Sequence, residues 1–195
     1  MSKPQATHVS RDEIEKAAAR VFRREGYRAA TMSQIAKEVG LHKTSLYHHI
    51  ESKQELLVSI AKYVMVEPVQ HLQGIAKDET RPPRARLYDA IIYYMNLVFS
   101  STDAIAVFDL YAGDIEDPEL RDSILEMKRR YIGTFIDLVA ECLSPSSSEK
   151  PNFVTYGILG MCSYVVTWYR PADKTSQDAI AHTFARAALR VVDAT

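Results

Sequence analysis

Residues Thr31 to Leu57, TMSQIAKEVGLHKTSLYHHIESKQELL, spell a helix, a tight turn and a second helix, directly after a first amphipathic helix. Apolar residues recur where two short helices must pack, at Ile35, Ala36, Val39, Leu41, Leu46, Tyr47 and Ile50. Gly40 stands at the turn, where a residue that tolerates positive φ is needed. Small Ala36 lets the second helix cross the first at close range. Lys43, Thr44, Ser45, Tyr47 and His48 are then left on or near the outer face of the second helix. Hydrogen-bonding groups and one fixed positive charge on such a face suit a reader of the DNA major groove.

Three capping boxes frame this segment. Ser10 with Glu13 opens a helix whose apolar face is Ile14, Ala17, Ala18, Val21 and Phe22, and Val9 stands where it could staple to Ile14. Thr31 with Gln34 opens the next helix, and Ser52 with Glu55 opens a further one through Leu56, Leu57, Ile60, Ala61 and Val64. Gly26 ends the first helix. Such a head is too small to be very stable alone.

The phrase AAARVFRREGYRAATMSQIAKEVGLHKTSLYHHIESKQELL, within about Ser10 to Ala61, resembles the DNA-binding head of the TetR family of one-component bacterial repressors. The family usually has Ser, Gly, Tyr and Phe where this chain has His42, Thr44, His49 and Ile50. His42 is a weaker N-cap than Ser. Thr44 adds a side chain that can touch a base. The resemblance implies an all-α fold of about nine helices. Residues 1–60 would be a three-helix helix-turn-helix head, and residues 61–195 a helical ligand-binding and dimerisation domain.

Charge agrees with DNA contact at one end. Up to Ile60 ten Lys and Arg stand against seven Asp and Glu; beyond it fourteen stand against eighteen. A net charge of −1 argues against a protein that coats nucleic acid indiscriminately. Two cysteines, Cys142 and Cys162, make a disulfide framework improbable and point to a reducing cytoplasm. The start, MSKPQATHVS, has no apolar signal core, and no stretch approaches the ~20 apolar residues of a membrane span.

Beyond the head every recognisable element is helical. The helix from Ser52 should bend or end near Pro68. Pro82 and Pro83 suit the start of a helix to Ser101, and Thr102 or Asp103 should cap a short one through Tyr111. A long helix runs from about Pro118 to Leu143. SPSSSEKP is a loop, followed by helices over about Asn152 to Tyr169 and Ser176 to Val192, separated by RPADKT. The last helix carries Ala179, Ile180, Thr183, Phe184, Ala187, Ala188 and Val191 along one face, and its partner carries Gly157 and Gly160 for close approach. The resemblance implies that this pair meets its symmetry mate in a four-helix bundle. One reader helix offers few base contacts, whereas a homodimer sets two of them on a roughly palindromic double-stranded operator.

Aromatic and methionine side chains between head and dimer helices could line a ligand pocket. On the earlier helices these are Met95, Phe99, Phe108, Tyr111, Tyr131 and Phe135. On the later ones they are Met161, Tyr164 and Trp168. The phrase MCSYVVTWYRPADKTSQDAIAHTFARAALR is similar to a TetR branch that regulates degradation of fatty acids, sterols and related acids. That similarity implies an acyl-CoA inducer, the alternative being a free hydrophobic acid, sterol or drug. Arg129, Arg130 and Arg170 could meet coenzyme A phosphates.

The expected activity is that of a repressor released by its ligand. Lys43 and Thr44 would reach bases or adjacent phosphates, and Tyr47 and His48 the backbone or base edges. Thr31 and Lys53, each at a helix start, would hold phosphates. A pendulum shift of the helix from Ser52 would change the spacing of the reader helices. Catalysis is disfavoured: Cys142 and Cys162 lack activating neighbours, and no nucleophile elbow, phosphate loop or dinucleotide fingerprint is present. Adjacent His48 and His49 diverge on a helix and make a poor metal site. No cofactor is expected. A helical protein-interaction adaptor is the remaining alternative.

Overall fold

The computed structural model describes residues 9–170 and 176–194. Most of the opening decapeptide and the PADKT part of the late connection lie outside the described residues. Among those described the chain is helical, with no strand. It divides into two compact units: the described residues of Met1–Val64 with Asp103–Ile124, and those of Met65–Thr102 with Leu125–Thr195.

The first unit begins with α1 (Arg11–Glu25), capped by the Ser10–Glu13 box and burying Ile14, Ala17, Ala18, Val21 and Phe22. Gly26, at φ 83°, ends it, and its N–H donates to the Phe22 carbonyl at 2.9 Å. Thr31 and Gln34 form the expected reciprocal box before α2 (Met32–Glu38). Gly40 adopts φ 72°. Its N–H donates to Lys37 O (3.2 Å) and that of Leu41 to Ala36 O (2.9 Å), so the α2 terminus is closed by a Schellman pair. Reader helix α3 spans only Lys43–Leu46, and His42 gives it no side-chain cap. Buried Ile35, Ala36, Leu46 and Ile50 fix α3 against α2, whereas Tyr47 turns outward and leaves this core.

Helix α4 (Lys53–Ala76) passes through Pro68, so of the expected bend or end the end does not occur. Its box is only half formed. Ser52 Oγ accepts the Glu55 N–H, but Glu55 reaches past Ser52 to the Glu51 N–H at 2.7 Å. Helix α5 spans Pro83–Ser100 and α6 Thr102–Tyr111. Thr102 does not cap α6; its hydroxyl donates back to Val98 O at 2.6 Å. A 3-10 turn (Ala112–Asp114) leads to α7 (Pro118–Cys142). Most of α6 and the first residues of α7 fall in the same compact unit as the helix-turn-helix. Three contacts hold them there. Arg23 pairs with Asp103 (2.7 Å), Arg28 with Asp114 (2.9 Å), and the rings of Tyr27 and Tyr111 lie 6.0 Å apart.

In the second unit α5 packs on α8 (Pro151–Ser163) and on α10 (Gln177–Asp193), which also pack on each other. The expected single helix to Tyr169 breaks at Tyr164, and a short α9 (Val165–Trp168) follows. Arg84 pairs with Asp193, and Tyr88 Oη lies 2.8 Å from His182 Nδ1. Buried Arg86 donates to Arg81 O (3.2 Å), Ala76 O (2.5 Å) and Glu141 (2.5 Å), so its charge is spent inside the fold. Helix α10 has two sides rather than one apolar face. Ile180, Ala181, Ala185, Ala188 and Val192 are buried, while Ala179, Thr183 and Val191 are exposed. No single helix among the described residues is long and apolar enough to cross a membrane.

Candidate nucleic-acid interface

The turn at Gly40 and the buried anchors Leu46 and Ile50 decide what α3 presents. Lys43, Thr44 and His48 are exposed, Tyr47 is 46% exposed, and Ser45 is half-buried. Lys43 Nζ lies 5.9 Å from the Tyr47 ring centroid, so the charge and the phenol occupy one patch. His49, which is not among the expected DNA contacts, is exposed in the turn that follows. Thr31 is exposed, but its hydroxyl already serves the cap: it donates to Gln34 Oε1 at 2.8 Å and accepts the Gln34 N–H at 3.3 Å.

Lys53 departs from its expected use. Its ammonium donates to the carbonyls of Tyr27 (2.8 Å), Arg28 (3.1 Å) and Ala30 (3.0 Å). Those bonds spend all three donors, leaving none for a phosphate. Sequence reading also missed Tyr27. Its ring meets Phe22 edge-on at 5.1 Å, and its hydroxyl donates to Gln54 Oε1 at 2.6 Å. Burial, with Glu116 and Asp114 adding, pushes that hydroxyl up to about 12. No local signal could have exposed this role, because Tyr27 and Gln54 are 27 residues apart.

The residues expected to line a pocket scatter. Phe108 is buried on α6 and Tyr111 packs against Tyr27, both within the head's unit. In the second unit Met95, Tyr131 and Phe135 are buried. The Tyr131 and Phe135 rings meet at 5.5 Å, and Phe135 meets Tyr94 at 5.9 Å. Tyr94 Oη in turn lies 2.6 Å from Ser163 Oγ. Phe99 is half-buried against Tyr169 at 5.2 Å, and Met161 is half-buried. Tyr164 and Trp168, 66% and 47% exposed, face outward and are not interior walls. They continue an exposed stripe through Phe153, Tyr156, Gly157 and Gly160, at helical spacing along α8 and α9.

Two buried hydroxyls, those of Tyr131 and Thr155, have no hydrogen-bond partner among the described residues. Burial drives the Tyr131 hydroxyl well above its usual value, so it stays a neutral donor. Arg129 is exposed and paired with Glu126 at 2.7 Å, and Arg130 is exposed beside it. Arg170 is exposed and donates to the carbonyl of Tyr169 at 2.9 Å. Burial pushes the Cys162 thiol up to about 12 and raises Cys142, so both are poor nucleophiles.

Comparison with known proteins bears on this head and body. The sequence is 39% identical to the uncharacterized HTH-type transcriptional regulator YxaF of Bacillus subtilis over 75 residues, 38% of this chain; the match spans only 39% of that relative's length. The fold is similar to that of the ketosteroid transcriptional regulator KstR2 of Mycobacterium tuberculosis, with TM-score 0.80, 20% identity, and 94% of each chain covered. It is similar also to AibR, solved in complex with isovaleryl coenzyme A and operator DNA, with TM-score 0.69, 23% identity, and 90% of this chain and 96% of that one covered. Residues 14–60 match the family described as bacterial regulatory proteins, tetR family, and residues 80–192 match a tetracyclin repressor-like C-terminal domain. The two matches take in more than half of the sequence, and the chain belongs to the tetR family of bacterial regulatory proteins.

Proposed function

We propose that this chain is a homodimeric transcriptional repressor that reads a palindromic DNA operator with α3 and lets go when a hydrophobic effector binds. One observation carries the DNA reading: Lys43 and Thr44 on α3 and Tyr47 and His48 in the turn that follows are all exposed, while Leu46 and Ile50 between and after them are buried. Ser45 flanks them and suits a phosphate contact, whereas the Thr31 hydroxyl is held by Gln34. Residues 1–60 supply the reader, and the rest supply effector binding and pairing.

The exposed stripe of Phe153, Tyr156, Tyr164 and Trp168, with Gly157 and Gly160, supports pairing through α8 and α10. Apolar residues in such a continuous row favour burial against a second copy. Pairing in turn sets two α3 helices at the spacing of successive major grooves.

For the effector, the Tyr131–Phe135–Tyr94 layer offers apolar rings, and the spare hydroxyls of Tyr131 and Thr155 offer neutral donors. Neutral donors with Arg86 already spent favour a carbonyl, as in an acyl-CoA thioester or a ketone, over a free carboxylate. Exposed Arg129, Arg130 and Arg170 suit the phosphates of a coenzyme A, which stay at the surface. AibR, a protein of similar fold, was crystallised with such a thioester and with operator DNA. Effector binding would act through α4, which begins in the head's unit and continues into the other, and only unequal affinity for two reader spacings can release DNA.

Capture of bound genomic fragments, followed by gel shift of the recovered duplex with and without acyl-CoAs and matching free acids, tests the reading. No enriched fragment refutes DNA recognition, and identical affinity with every compound refutes induction by this class.

A further inference from the structure

The first residue of α4 is a lysine, and a cation there faces the positive end of the helix dipole. The contacts of the side chain say what offsets this. Lys53 Nζ donates to Tyr27 O (2.8 Å), Ala30 O (3.0 Å) and Arg28 O (3.1 Å), and sits 4.8 Å from the Tyr27 ring centroid. Three carbonyls of one short connection thus converge on a single ammonium. The next residue, Gln54, accepts the Tyr27 hydroxyl at 2.6 Å, so the start of α4 grips that connection by backbone and by side chain.

We infer that Lys53 is a positioning residue for operator binding, one that anchors the Gly26–Ala30 connection and touches no phosphate. The inference rests on the DNA-binding reading above. The Ala30 carbonyl directly precedes Thr31, the N-cap of α2, so a shift in that peptide shifts the cap. Helix α2 in turn packs on α3 through buried Ile35, Ala36 and Leu46, and α3 carries Lys43 and is followed by Tyr47, its C-cap. Swinging the ammonium out to DNA would strip three carbonyls of their donor, beside the buried residues Tyr27 and Ala30. An arginine cannot take its place, because a planar fork does not aim three donors from one atom at converging acceptors.

The test uses the full chain and a duplex that the wild-type protein selects from a random-sequence library. Operator affinity is read by fluorescence anisotropy across salt for wild type, Lys53→Met and Lys53→Arg, with Lys43→Ala as the phosphate-contact comparison. Amide hydrogen exchange is followed at Ala30–Gln34. The expected result is at least ten-fold weaker binding by both Lys53 variants, an unchanged salt slope for Lys53→Met, and at least ten-fold faster exchange at those amides. A salt slope reduced by about one unit per head, wild-type affinity in Lys53→Arg, or unaltered exchange would each overturn the inference. Should Lys53→Met fail to fold, Lys53→Arg decides, since a phosphate contact survives that change and an anchor does not. A wild-type protein that selects no duplex sinks the DNA reading itself and takes this inference with it, a failure visible before any variant is made.

Discussion

Two glycines of the head should respond very differently to the same substitution. Gly40 has φ 72°, and a Cβ built on it meets nothing within 4 Å. Its cost as alanine is therefore the left-handed backbone alone, roughly 1–2 kcal/mol, offset by about 0.4–1 kcal/mol from a stiffer unfolded chain. The net is about 1 kcal/mol. Gly26 combines φ 83° with ψ 141°, a region essentially reserved for glycine. Its Cβ would lie 3.6 Å from the Tyr111 hydroxyl, an ordinary contact, so strain again supplies the cost, here roughly 2–3 kcal/mol. Urea unfolding at fixed protein concentration measures both, and a chain of this size should lose about 2–4 °C in Tm per kcal/mol. Asparagine tolerates the left-handed region and should largely restore Gly40 but not Gly26. The reasoning is refuted if Gly40→Ala costs as much as Gly26→Ala, or if Asn serves equally well at both positions.

Lys43→Ala and Tyr47→Ala should weaken operator binding without lowering Tm, and Lys43→Ala should flatten the salt dependence by about one unit per head; unchanged affinity and slope in a salt titration would move the reading face elsewhere. Tyr156→Glu places a charge in the exposed α8 stripe and should yield monomers in sedimentation velocity, at micromolar concentration, with Tm altered only through lost pairing. Tyr131→Phe removes a hydroxyl that has no partner among the described residues, so urea stability should hold or rise by up to about 1 kcal/mol, while induction by thioester compounds is lost; a clear drop in stability would mean that the hydroxyl is satisfied within the fold. The Glu51 N–H first, and then Arg11, hold the Glu55 carboxyl below its ordinary 4.5. A depressed carboxylate stabilises the fold above the unfolded value and loses that contribution as pH falls through the folded one. Wild type should therefore exceed Glu55→Gln in urea midpoint at neutral pH and converge with it below that window; parallel curves down to acid would argue against the cap.

Features written in neighbouring residues were legible without coordinates. The Ser10 and Thr31 boxes, the Gly26 and Gly40 terminators and the outward set on α3 depend on spacings of a few residues. Pro68 does not end α4, because a long helix can absorb one missing donor when the rest of its ladder and its buried face persist. Tyr164 and Trp168 misled for another reason. Periodicity groups side chains on one face but does not say whether that face meets the chain's own core or stays open. At Tyr111 no local pattern announces the neighbour it packs on, Tyr27, which lies far away along the chain.

Sequence alone settled the helical class, the helix-turn-helix and which side chains near α3 turn outward, since caps, glycines and apolar periods act within a turn or two of helix. Tertiary structure decided that Lys53 closes three carbonyls and that Asp103–Ile124 joins the head through the Arg23 and Arg28 ion pairs. It also decided which aromatics are buried. Those pairings span 23 to 86 residues along the chain. A charge or hydroxyl carries no mark of its distant partner; only the folded backbone brings the two within bonding range.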